Sequence, residues 1–199
     1  MEKSNLKELH YITHIDNVAS IMEKGILSHN RTKTIKHKTV SMKNIQEKRE
    51  KVTIPNARPL HDYVNFYING RNKMLFLVKQ TNNVDDICII SVSTDVLELP
   101  NVVISDQNAA SDYVRFYNVI DGLAKLDYDY IFSDSWTNPD DQAEAWRHGS
   151  AMCAEVLIPD TVPSKHIKSL YVLSGQCEQK IKSLGLGLTI EVKPYLFFN

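Results

Sequence analysis

The run Met152-Cys-Ala-Glu-Val-Leu-Ile-Pro159 is apolar except for one carboxylate, and it reads as a strand whose side chains point to opposite faces with a period of two. Cys153, Glu155 and Leu157 fall on one face, Ala154, Val156 and Ile158 on the other. A carboxylate in the middle of an otherwise apolar face is costly unless it meets water or polar partners. Glu155 is therefore either an edge-strand residue facing solvent or the floor of a polar cleft.

Similar apolar runs predict strands at Leu9-His-Tyr-Ile-Thr13, Met74-Leu-Phe-Leu-Val78, Ile87-Cys-Ile-Ile-Ser-Val92 and Val102-Val-Ile104, with two more at residues 167–173 and 188–192. Asp16 is the expected cap of a helix that carries Val18, Ile21 and Met22 on one face and stops at Gly25. Thr94 is expected to cap a short helix ending before Pro100. Residues 106–112 are expected to open a helix whose apolar face runs through Val114, Tyr117, Ile120 and Leu123, and a further helix is expected near residues 176–184. Asn69-Gly70 and residues 81–86 read as turns. Two stretches hold no sustained period: residues 31–52, with a short helix at 41–49, and the polar, tryptophan-bearing residues 128–150. Long connections of this kind inside a compact domain are usually functional or mobile. The pattern predicts one α+β domain over residues 1–199, with a mixed or antiparallel sheet core and flanking helices.

Composition adds limits. A chain of 199 residues that is 43% apolar and 24% charged suits one soluble domain with a full core. Its net charge of −1 conceals an uneven distribution: residues 31–51 hold eight Lys/Arg against two acids, and residues 127–144 are acidic. A basic arm suits a phosphate-bearing ligand or nucleic acid, and equally a solvated loop. Cys88, Cys153 and Cys177 have no CxxC pairing and no ligand-like spacing with histidines, which argues against structural zinc or a disulfide framework and for a reducing cytoplasm. No apolar run approaches a membrane span, and Met-Glu-Lys-Ser-Asn at the start is not a signal-peptide core.

The sequence holds no GxSxG, P-loop, GxGxxG, HExxH or zinc-deaminase motif. Cys153 inside a predicted strand reads as core rather than nucleophile. His10 and His14 lie four apart on a strand and turn, where packing or capping suits them better than metal ligation. What remains is a resemblance carried by three stretches read together. Leu9-His-Tyr-Ile-Thr-His-Ile-Asp-Asn17, Ile45-Gln-Glu-Lys-Arg49 and Leu60-His-Asp-Tyr-Val-Asn-Phe-Tyr-Ile-Asn-Gly-Arg-Asn-Lys-Met-Leu75 resemble, in order and spacing, the motifs of the DarT family of DNA ADP-ribosyltransferases. The likeness covers about Leu9 to Pro159 and aligns the family's catalytic glutamate with Glu155.

The resemblance implies an ADP-ribosyltransferase-like split sheet, NAD as co-substrate and no metal. It implies single-stranded DNA as acceptor, with guanine or thymine as the modified base. It further implies a toxin countered by an antitoxin, a macrodomain or another ADP-ribosyl-removing protein. Glu155 and Arg49 would be catalytic, with Tyr11, Ile12, Thr13, Ser20, Leu27 and Arg49 binding NAD. Residues 31–51 would close over NAD, while residues 108–155 would grip the acceptor through Trp136, Trp146, Arg147 and His148. Asp62, Tyr63 and Tyr67 would build the cleft wall. In place of the Arg-Gln-Ala-Glu approach of the thymine-modifying branch stands Met152-Cys-Ala-Glu155, which leaves the base open. Action on RNA or protein, NAD hydrolysis, and a non-catalytic nucleic-acid-binding module are the alternatives.

Overall fold

The computed structural model describes residues 1–199. Its strands are β1 (Leu9–His14), β2 (Ile26–Leu27), β3 (Tyr63–Tyr67), β4 (Ile87–Val92), β5 (Val103–Ser105), β6 (Phe116–Tyr117), β7 (Glu155–Pro159), β8 (Thr161–Val162), β9 (Ile167–Val172) and β10 (Ile190–Val192). Eight of them form one mixed sheet in the order β10-β9-β4-β1-β3-β7-β5-β6, while β2 pairs with β8 apart. Within the large sheet only β10 and β9 run parallel. The helices are α1 (Val18–Lys24), α2 (His29–Thr32), α3 (Lys43–Glu50), α4 (Lys73–Thr81), α5 (Val119–Lys125), α6 (Tyr128–Ile131), α7 (Gln142–Ala151) and α8 (Gly175–Lys182). No helix is long and apolar enough to cross a membrane.

The fold is α+β, and alternation along the strands decides which side each helix covers. Phe66, Ile90, Ala154, Val156 and Ile158 join Val18 and Ile21 of α1, Leu123 of α5 and Cys177 and Ile181 of α8 in the main core. Leu75 and Val78 of α4 close a smaller cluster with Ile87, Ile89 and Phe197. Leu157, on the face it shares with Glu155, packs with Ile54, Leu60, Tyr63 and Ala109. The sheet is split where it matters. β1 meets β3 at one register pair, His10 with Tyr67, while β1 pairs with β4 along its whole length and β3 with β7 along all of its own. Beyond His10 the two central strands part, and a cleft opens between Tyr11-Ile12-Thr13 and Tyr63-Val64-Asn65.

Several expectations change. Residues 74–78 are not a strand but part of α4. Asn72, fully buried, accepts a hydrogen bond from Leu75 N at 3.0 Å and starts the helix, and a short apolar run carries no period that separates the two states. The helix expected from residues 106–112 is absent. Asp106 instead closes a loop with Arg115 through bonds of 3.2 and 3.0 Å, β6 follows, and α5 begins only after Asn118 caps it. Its inner face is Gly122 and Leu123, and Ile120 is 83% exposed. Residues 128–150 are not irregular throughout, since α6 and α7 occupy both ends. Ser93 rather than Thr94 caps the turn of helix after β4. Asp16 lies in a 3-10 turn, and α1 begins after Asn17 with no side-chain cap.

Candidate active site

Glu155 is not an edge residue. It opens β7, an interior strand, with Tyr67 of β3 on one side and Ser105 of β5 on the other. It is fully buried. The partner that makes this tolerable comes from α3, whose one buried residue is Arg49. Nη1 and Nη2 of Arg49 donate to Oε1 and Oε2 of Glu155, both at 3.0 Å, a fork-to-fork pair. Burial opposes charge on the guanidinium, but the carboxylate's attraction and hydrogen bonds hold its pKa above the ordinary value. Ala109 N donates to Oε1 at 2.9 Å, and Glu155 N donates to Ser105 Oγ at 3.2 Å. Burial, then the charge of Glu155, pushes the Tyr67 phenol well above its usual value, so it stays protonated. Cys153, on the same strand face, is likewise raised by burial, to about 12, and is inert as a thiolate nucleophile.

Helix α3 is a partition. On one side is the cleft between the split strands, where Tyr11, Ile12, Thr13, Leu27 and Arg49 meet. Burial lifts the Tyr11 phenol to about 12, and its ring packs on Phe66. Asn17 ties the basic segment over this cleft: its Nδ2 donates to Lys38 O at 2.7 Å and its Oδ1 accepts from Lys38 N at 2.9 Å. His61 stacks on His29 with centroids 4.1 Å apart and bonds Gln46 Oε1 at 3.1 Å. Burial first, then the His29 and Arg49 charges, press the His61 pKa down to about 4. The imidazole is therefore neutral near pH 7 and Nε2–H donates to Gln46, steadying α3. Ser20 lies half-buried on α1 and does not line the cleft.

On the other side of α3 is a hollow lined by Ile45, Lys48, Lys73, Asn108, Trp146 and Cys153. Trp146 is 65% exposed there. Gly149 lets Lys73 reach it, because a Cβ at Gly149 would stand 2.6 Å from Lys73 Cδ. The other three residues expected on the acceptor side lie elsewhere. Trp136 packs edge-on against Phe76 and Phe198. His148 stacks on Tyr130 at 4.0 Å and bonds Ser133 Oγ at 2.7 Å, holding α6 to α7. Arg147 is exposed, pairs with Glu144 at 3.4 Å and faces a different depression. Of the expected wall residues, Tyr63 lines the cleft between β1 and β3, Asp62 accepts from Asn30 Nδ2 at 2.7 Å, and Tyr67 stands beside Glu155. Asn17, His61 and Ala109 join the site without a sequence signal of their own. The first two sit inside the family-like motifs, whereas Ala109 contributes a backbone amide that no side-chain motif reveals.

A family model described as ssDNA thymidine ADP-ribosyltransferase, DarT, matches residues 10–198. A Thermosipho africanus DNA ADP-ribosyl transferase–DNA ADP-ribosyl glycohydrolase fusion protein is 32% identical over 197 residues, 94% of this chain. The chain spans 48% of that protein's length. A Thermus sp. DNA ADP-ribosyl transferase is 26% identical, with 87% of this chain and 84% of the relative covered. Among solved structures, Thermosipho africanus DarTG in complex with ADP-ribose superposes with a TM-score of 0.82 at 29% identity, covering 96% of this chain and 51% of that one. Thermus sp. 2.9 DarT in complex with ADP-ribosylated ssDNA superposes at 0.81 and 25% identity, with 97% of both chains covered. A family match over nearly the whole chain, on a split sheet whose motif residues converge on one carboxylate, makes this chain a member of the DarT family.

Proposed function

We propose that the chain transfers ADP-ribose from NAD onto a base of single-stranded DNA. The observation that carries this is Glu155 paired with Arg49 beneath α3, which separates a polar cleft from an aromatic and basic hollow. The cleft fits NAD in the chemistry of its walls: a free strand edge at Tyr11 to Thr13 for amide and ribose groups, and Arg49 and Lys38 for phosphate oxygens. Ser20 lies outside that wall, so Leu27 is the stronger of these two NAD-binding candidates.

Glu155 supplies negative charge where the ribose carbon becomes positive as its bond to the nicotinamide nitrogen breaks and the bonding pair leaves with nicotinamide. It also holds a ribose hydroxyl. A ring nitrogen of the acceptor base bonds to that carbon and loses its proton, to Glu155 or to water. The sum is NAD and a base N–H giving ADP-ribosyl base, nicotinamide and a proton. Trp146 stacks the base or its neighbour, and Lys48 and Lys73 meet phosphates, a division that needs an unpaired strand. Arg147 meets a more distant phosphate from its own depression. Trp136 and His148 serve by folding the acceptor-side segment.

The family's description names thymidine, and guanine is the alternative that the Met152-Cys-Ala approach keeps open. Such an activity damages its own host. The fusion of transferase and glycohydrolase in the Thermosipho africanus relative supports a toxin role, countered by an ADP-ribosyl-removing partner. Mass spectrometry of a mixed-sequence oligonucleotide after incubation with NAD tests the reading. The expected product is one ADP-ribose per modified base, absent with Glu155→Ala. Label on RNA or protein alone, or nicotinamide release with no labelled product, would replace the acceptor. DNA binding unaltered by Glu155→Gln, without nicotinamide release, would leave only a binding module.

A further inference from the structure

We infer that the loop after β5 positions the catalytic carboxylate, with Ala109 acting through its backbone N–H and Ser105 through its hydroxyl. The inference rests on the transferase reading above. A carboxylate offers about four acceptor positions, and three of them are taken: Arg49 Nη1 and Ala109 N on Oε1, Arg49 Nη2 on Oε2. Oε1 is thus the anchored oxygen. Oε2 has the spare lone pair, and it is the oxygen that receives the ribose hydroxyl. Because Glu155 is fully buried, that hydroxyl reaches it only when the Arg49 fork turns aside. The Ala109 amide then remains as the donor that keeps the carboxylate in place.

The loop is built to hold that amide still. Ala109 is fully buried. Asn108 N donates to Ser150 O at 3.0 Å, tying the loop to α7, and Asn108 Oδ1 accepts from Ala110 N at 2.9 Å. Ser105, also fully buried, accepts from Glu155 N at 3.2 Å and donates to Gln107 O at 2.8 Å, so one hydroxyl joins strand β7 to the start of the loop. Asn108, Ala110 and Ser111 line the acceptor hollow on the outer side of this same loop. An oligonucleotide seated there bears on the loop and, through Ala109, on Glu155.

The decisive variant replaces the Ala109 amide by an ester, inserting lactic acid at position 109, which keeps the methyl group and removes only the N–H. Loss of a hydrogen bond to a charged group lowers kcat by about tenfold or more, with KM for NAD held within about twofold. Ser105→Ala follows the same split and Ser105→Thr, which keeps the hydroxyl, restores kcat. Hydrogen exchange gives a readout apart from turnover: the Ala109 amide is protected in the wild type and exchanges about tenfold faster or more in Glu155→Ala. If the ester variant does not fold, the Ser105 pair and the exchange measurement decide. An active wild type with kcat unchanged in the ester variant and in Ser105→Ala, or Ala109 exchange unmoved by Glu155→Ala, overturns the inference. A wild type that cleaves no NAD overturns the transferase reading instead, and the exchange result still decides whether Ala109 holds Glu155.

Discussion

Arg49 and Glu155 stand 106 residues apart in the chain and meet through two parallel hydrogen bonds of 3.0 Å, with 5% and 0% of their surfaces exposed. Desolvating two charges offsets most of what their attraction returns, so such a pair adds little net stability, while removing one partner strands the other. Arg49→Ala is expected to destabilise the fold by about 3–5 kcal/mol in denaturant unfolding. The double change Arg49→Met with Glu155→Met should recover most of that loss and release no nicotinamide. A double variant no more stable than Arg49→Ala would show that the pair is held for stability rather than for chemistry.

Asn17 gives a second prediction. Its two bonds to the Lys38 backbone fasten the basic segment over the cleft. Each such bond contributes on the order of 1 kcal/mol, so Asn17→Ala should raise KM for NAD by roughly tenfold. The oligonucleotide KM should stay unchanged. An equal rise in both would mean that Asn17 supports the fold at large.

Trp146 and Trp136 should separate cleanly. Trp146 is exposed at the hollow, and stacking on a base is worth about 1–3 kcal/mol. Trp146→Ala should weaken oligonucleotide binding accordingly and leave the melting temperature in place. Trp136→Ala removes ring packing against Phe76 and Phe198 and should lower the melting temperature instead. Exchanging Lys48 and Lys73 for Ala should flatten the salt dependence of binding by about 0.7 in slope for each phosphate that the variant no longer neutralises. A slope unchanged in both lysine variants would move the DNA path away from the hollow.

These expectations rest on parts of the molecule that are legible in the sequence to different degrees. A lone carboxylate in the apolar run 152–159 marks Glu155 as anomalous, but its neighbours on β3 and β5 come from far along the chain, so no local pattern decides whether it faces water or Arg49. Motif order brings Arg49 and Glu155 together correctly in space, and the split between β1 and β3 follows from the fold they imply. Met74 to Val78 misleads because five apolar residues fit a strand and a helix alike, and Asn72, the cap that decides, has a role visible only once its side chain is seen on Leu75 N. The tryptophans are indistinguishable in sequence. What separates Trp136 from Trp146 is the Phe76 and Phe198 pair waiting for one of them.

The last prediction concerns acid. Burial alone would raise the Glu8 carboxyl, but bonds from His10, Ser91 and Tyr171 bring it down from its ordinary 4.5 to about 2. Its contribution to stability is therefore complete above pH 4.5 and lost as pH falls toward 2. His61 is depressed from 6.5 to about 4 by burial and by the His29 and Arg49 charges. Between those values the unfolded chain binds a proton that the fold resists, so stability falls as pH drops from 6.5 to 4. His29, lowered by burial and by Lys33, adds in the same direction. Melting temperature measured against pH should decline in two stages. His61→Gln, which keeps an amide donor for Gln46, should flatten the upper stage, and Glu8→Gln the lower. An upper stage equally steep in His61→Gln would place the proton uptake on another group, and the neutral imidazole behind α3 would lose its support.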